Sequence, residues 1–210
     1  MSALVIRPAH KEDCTDIARL FLTSSDGLAA YIWSRFAKAA NVEEASLIEI
    51  GAARYARDGV EFSYSNCVIA ERNGRIVGML HGFPMQAPDG PPEAESDPVL
   101  RPYSELEDLG SFYVSGIAVY EPYRGRGIGT ALIGAAHRQA TFLGCPRISL
   151  ICFDANRGAR NFYSRLGFAE LARRPIHPHP TLHYVHGDAV LLARPVDRNA
   201  ARFANQDHAA

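Results

Sequence analysis

An apolar run, Ile117-Ala118-Val119, is followed within a few residues by the turn Arg124-Gly125-Arg126-Gly127-Ile128-Gly129, which opens directly onto apolar residues at helical spacing. The order is strand, glycine-rich turn, helix. Glycines at the start of a helix let successive backbone amides converge without clashing side chains, and the helix terminus adds its partial positive charge. A diphosphate suits that environment. Within the helix, Ile128, Ala131, Leu132, Ala135, Ala136, Phe142 and Leu143 read as one apolar stripe, with Gly144 as the stop. No Lys-Ser or Lys-Thr follows the glycines, which disfavours a nucleoside triphosphatase loop.

The segments around this turn organise the chain. Residues 112–119 and 147–153 read as strands bracketing the glycine-led helix, and a shorter helix over 156–166 ends at Gly167. This predicts a β-α-β-α unit on a mixed sheet. Upstream, two β-rich runs at 66–70 and 75–80 flank Asn73-Gly74, a strong hairpin signal. A first strand at 4–8 leads through Asp13, a candidate N-cap, into a helix carrying Ile17, Leu20 and Phe21, and further helices are predicted over 28–39 and 42–57. Last strands fall near 168–172 and 189–193. The Pro- and acid-rich stretch 84–102 (PMQAPDGPPEAESDPVLRP) reads as a mobile insertion, and 199–210 as a disordered tail. One domain over 1–198 is expected.

Composition supports a single core: 210 residues, 47% apolar and 21% charged. A formal charge of −1 gives no overall footprint for nucleic acid or an anionic membrane, so neither is expected as a partner. With no long apolar run and no apolar leader in MSALVIRPAHKED, a cytoplasmic location is expected. The four cysteines, Cys14, Cys67, Cys145 and Cys152, form no C-x-x-C pair and read as reduced, buried thiols, and no metal is expected.

Two motifs carry a resemblance. Arg124, Gly127 and Gly129 match the Arg/Gln-x-x-Gly-x-Gly/Ala signature of the GNAT superfamily of N-acetyltransferases, and Asn156, Ala159, Tyr163, Gly167 and Phe168 match its N-x-x-A-x-x-x-Y-x-x-x-G-F segment in the same order. The similarity spans residues 3 to 195, with 84–102 and a histidine-rich loop as departures. It implies an α/β (α+β) fold with a mixed, mostly antiparallel central sheet flanked by helices and splayed where an acyl-CoA binds. It also implies acetyl transfer from acetyl-CoA, as co-substrate, directly to a primary amine of a small molecule or peptide. Transfer of a longer acyl group and a non-catalytic acyl-CoA-binding module are the alternatives.

The resemblance assigns roles residue by residue. Ile117, Ala118 and Val119 would pair with the pantetheine like an extra strand, beside a bulge expected at Ser115-Gly116. Arg124, Gly125, Arg126, Gly127, Ile128 and Gly129 would cradle the pyrophosphate, and Asn156 would help hold the coenzyme arm, cap its own helix, or do both. Tyr163 would be the general acid toward the coenzyme sulfur. For the general base, Glu107 is the choice among Glu105, Glu107 and Asp108, with His183 of the loop 177–186 as an alternative. Trp33, near Tyr31 and Phe36, hints at an apolar acceptor. Acceptor identity and oligomeric state stay open, a homodimer among the options.

Overall fold

The structure, a computed structural model, describes residues 3–42, 45–87 and 96–196. Seven strands form one sheet: β1 (Leu4–Pro8), β2 (Cys67–Arg72), β3 (Arg75–Pro84), β4 (Phe112–Val119), β5 (Arg147–Phe153), β6 (Ala169–Pro175) and β7 (Asp188–Pro195), in the order β1-β2-β3-β4-β5-β7-β6. Among the described strands only β4 and β5 pair in parallel. The helices are α1 (Cys14–Ser24), α2 (Leu28–Ala39), α3 (Leu47–Tyr55), α4 (Arg101–Ser104), α5 (Ile128–Phe142) and α6 (Arg157–Arg165). The sheet is therefore mixed and mostly antiparallel, as the resemblance implies.

Local chemistry explains the joints. The β2–β3 hairpin turns on Asn73 and Gly74, both at positive φ (54° and 68°), the conformation that a two-residue turn between right-twisted strands requires. Helix α3 opens with a capping box, in which the Ser46 hydroxyl accepts from the Glu49 amide and the Glu49 carboxylate accepts from the Ser46 amide at 2.7 Å. Asp13 precedes α1 as expected but does not cap it. Its carboxylate instead accepts from the Arg7 guanidinium at 2.7 Å and the His10 amide at 2.8 Å.

Side-chain alternation sorts the core onto two faces. Val68, Ala70 and Leu80 meet α5 on one face; Cys67, Ile69 and Met79 meet α1 and α3 on the other. On α5, Ile133 and Ala140 complete the buried face, while Phe142, the last residue of the helix, and Leu143, just beyond it, are exposed. Phe142 is 89% exposed. A third cluster joins Phe153, Ala189 and Leu191 to Ile176 and Leu182 of the histidine-rich loop and to Val99.

Of the stretch 84–102, residues 88–95 lie outside the described residues, as does the tail 199–210. From Asp97 onward the chain is anchored. Val99 is buried, and the Asp97 carboxylate accepts from the Tyr31 hydroxyl at 2.7 Å and from the Val99 amide at 2.8 Å. Val99 and Pro102, both buried, give the end of this stretch an apolar footing. All four cysteines are free and buried. Among the described residues no helix is long and apolar enough to cross a membrane.

Candidate active site

The sheet opens where its one parallel pair ends. β4 and β5 are in register only at Phe112–Ile148 and Tyr113–Ser149, so beyond Tyr113 the β4 edge facing β5 has no strand partner. The β3–β4 register shifts between His81 and Gly82, leaving Ser115 as the extra residue of the expected bulge. Gly116, next to it, lies so close to Phe21 that an added Cβ would stand 2.7 Å from that ring, which explains the glycine. The opening is a cavity of about 910 Å³, lined by Ser115, Ile117, Ala118 and Val119 of β4 and by Ile151, Cys152 and Phe153 of β5.

Arg124, Gly125, Gly127, Ile128, Gly129, Asn156 and Tyr163 line the same cavity, together with the strand residues above; Arg126 and Glu107 do not. Gly125 and Gly127 sit at φ of 73° and 79°, with open space where a side chain would go, so their backbone conformation is what demands glycine. Gly129 has another reason, since an added Cβ would approach Phe162 to 3.0 Å. Gly127 gives α5 no side-chain cap, which leaves the first-turn amides free of side-chain partners. Those donors, at the positive end of a fifteen-residue helix, fit a diphosphate. Arg124 fastens the turn to the strand, its Nε donating to the Val119 carbonyl at 2.9 Å.

Asn156 caps α6 through Oδ1, which accepts from the Ala159 amide at 3.0 Å, while its Nδ2 donates to Asp26 at 2.9 Å. Both ends of the amide are therefore engaged with protein. Tyr163 packs against Phe162 and Phe168, with ring centroids 5.2 and 5.6 Å away. Burial, then the charges of Cys152 and Asp26, push its phenol well above the usual range, so it is a protonated donor. Trp33 is both core and wall: it is 2% exposed, rests on Gly51 and Phe21, and borders the cavity.

His183 does not border the cavity. Its backbone amide donates to the Asp26 carbonyl at 2.9 Å, tying the histidine-rich loop to the α1–α2 turn. Glu107 stands beside Tyr113, whose phenol its charge helps to raise, and the Glu107 carboxyl is itself raised by burial and by Glu61.

Three side chains were given no role in the sequence reading, Ser115 having been read only as part of the bulge. His81 is completely buried, and its Nε2 lies 2.9 Å from the Glu61 carbonyl, which can only accept. The Nε2 therefore carries the proton, and Nδ1 accepts from the Ser115 hydroxyl at 2.5 Å. Burial lowers the imidazole pKa to about 4, so His81 is neutral. Ser115, with its hydrogen committed to His81, turns its lone pairs to the cavity. Arg54 of α3 is the third, with its guanidinium over the rings of Phe36 (4.5 Å) and Phe62 (4.8 Å). Period-2 alternation puts His81 and Met79 on one face of β3, which was the available signal for that residue.

A glycine turn thus leads into an uncapped helix beside a sheet that splays along a free strand edge. Residues 30–168 match the acetyltransferase (GNAT) family, and the chain belongs to it. It is 43% identical over 56 residues to an L-ornithine N5-acetyltransferase of Arabidopsis thaliana, covering 27% of this chain and 25% of that protein. To an N-alpha-acetyltransferase of the same plant it is 38% identical over 61 residues, 29% of this chain and 32% of that one. The chain thus matches only a quarter to a third of the length of these relatives. In fold it is similar to an acetyltransferase of Salmonella typhimurium solved with its cofactor acetyl-CoA, with a TM-score of 0.60 at 20% identity over 93% of this chain and 95% of that one.

Proposed function

We propose that the protein transfers an acetyl group from acetyl-CoA to a primary amine. The observation that carries this reading is one continuous cavity running from the uncapped N-terminus of α5, along the unpaired edge of β4, to Tyr163. The thioester supplies an activated acyl group, and the remaining work falls to this chain.

The amides after Gly125 and Gly127 hold the diphosphate, and the edge at Ile117, Ala118 and Val119 pairs with the pantetheine. Ser115 accepts a hydrogen bond from the incoming amine, which orients the nitrogen lone pair toward the carbonyl carbon. As the carbon–nitrogen bond forms and the carbon–sulfur bond breaks, Tyr163 gives its proton to the departing sulfur. Glu107 takes the surplus amine proton through solvent, since it lies outside the cavity wall. Its raised pKa leaves it a stronger base than an ordinary carboxylate.

Release of free coenzyme thiol from acetyl-CoA, followed across a panel of amines, tests the reaction. Amine-dependent release is expected, and acetyl-CoA binding without modification of any amine would make the chain a binding module. Longer acyl donors run in parallel decide chain length. Glu107→Gln should remove the acid limb of the kcat/KM–pH profile and lower the rate about 100-fold; an intact profile rules Glu107 out as the base.

A further inference from the structure

The guanidinium of Arg54 is held in place without a partner that needs its charge. Its carbon stands over two phenylalanine rings, those of Phe36 and Phe62, and the ionisable groups acting on it are Arg57 and Tyr55. Among the described residues no carboxylate forms a salt bridge with it. Burial also lowers its pKa below the ordinary arginine value, the signature of a cation withdrawn from water. A half-buried charge of this kind is costly unless something pairs with it.

Its location says what that something is. Arg54 borders the cavity, as do Phe62 and Ser115. The Phe62 ring lies 5.0 Å from the His81 ring, and His81 in turn holds Ser115 at the bulge. The cation therefore stands two side chains from the hydroxyl that faces the acceptor nitrogen, on α3 rather than on the α5–α6 side that supplies the diphosphate cradle. Tyr103, elsewhere on the cavity wall, has a buried hydroxyl with no hydrogen-bond partner among the described residues.

We propose that Arg54 anchors a carboxylate carried by the acceptor, so that the substrate is a small amine bearing an acid group, of the free amino acid class. A guanidinium presents two parallel N–H donors matched to the two oxygens of a carboxylate, and contact with ring faces consumes none of those donors. The inference rests on the acetyl-transfer reading above, and it adds the chemistry of the acceptor.

Free amino acids, their carboxamides and the corresponding decarboxylated amines form matched triplets, to which an amine bearing a phosphate is added. Turnover with acetyl-CoA and direct calorimetric binding to the coenzyme-loaded protein are measured on each. The acid-bearing amines should show kcat/KM about tenfold or more above their carboxamides, the scale of one charged hydrogen-bonded contact. Arg54→Gln should abolish that preference by raising the acceptor KM, with KM for acetyl-CoA unchanged. Arg54→Met, which keeps an unbranched chain against the rings, should do the same at an unaltered melting temperature.

Binding of the acids without turnover would uphold this inference while the transfer reading fails. Equal turnover across each triplet, with the Arg54 variants leaving the ratio intact, would overturn the inference and leave transfer standing. Preference for the phosphate-bearing amine alone, or no binding by any amine, would also overturn it.

Discussion

Along the part of the cleft formed by the β4–α5 turn and α5, the chain presents backbone: glycines at positive φ, uncapped amides and a strand edge without a partner. Across from it, the part formed by α1, α3 and the bulge presents side chains, with His81 buried behind Ser115 and Arg54 over two rings. The first part can hold any coenzyme of one chemical type, because backbone donors at a helix terminus recognise charge and shape. The second can be retuned by single substitutions without disturbing the turn. On the proposed reading, donor and acceptor recognition are built from different materials, and variants on each side should separate in their kinetics.

The sharpest separation is expected at Tyr163, where the two parts meet. Tyr163→Phe keeps the ring packing on Phe162 and Phe168 and removes only the proton, so kcat should fall about 100-fold with KM for acetyl-CoA unchanged. A variant as fast as the parent would mean that solvent protonates the sulfur. Next in size is Gly127→Val. A β-branched residue at φ 79° costs about 2 kcal/mol and turns the amides away, so coenzyme affinity measured by calorimetry should drop about 30-fold. Selectivity among amines should not change, and a change there would break the division between the two parts.

The same division decides how much was legible beforehand. Arg124 to Gly129 and Asn156 to Phe168 are contiguous, and glycine and cap positions act through the local backbone, so the sequence exposes them. The hairpin at Asn73-Gly74 and the bulge at Ser115 are local in the same way. Arg54, His81 and Ser115 lie far apart in the chain and meet only through the packing of α3 on the sheet. No spacing rule can announce such a meeting. Glu107 is the contrasting case: its place just before β4 in the sequence suggested the base, and its side chain does not line the cavity, although its charge acts on Tyr113. Composition alone does not register Val99, a buried apolar residue at the end of a polar stretch.

The smallest effect expected is one that only the side-chain part can show, a dependence of stability on mild acid. Burial lowers the His81 pKa from 6.5 to about 4, so as pH falls through the upper value the unfolded chain takes up a proton and the folded one does not. Proton uptake favours the unfolded state, and stability present above pH 6.5 is lost progressively down to about pH 4. Between pH 7 and pH 5.5 this amounts to about 1 kcal/mol, one pH unit of single-proton linkage below the unfolded value. In His81→Gln the side-chain amide can still donate to the Glu61 carbonyl and cannot titrate. Urea unfolding at the two pH values should therefore show about 1 kcal/mol less loss in the variant than in the parent. Its acceptor KM should rise, because Ser115 loses the partner that fixes its hydrogen, while coenzyme affinity holds. Equal losses in parent and variant would mean that the imidazole is not kept neutral by its burial, and the orientation of Ser115 toward the amine would lose its basis.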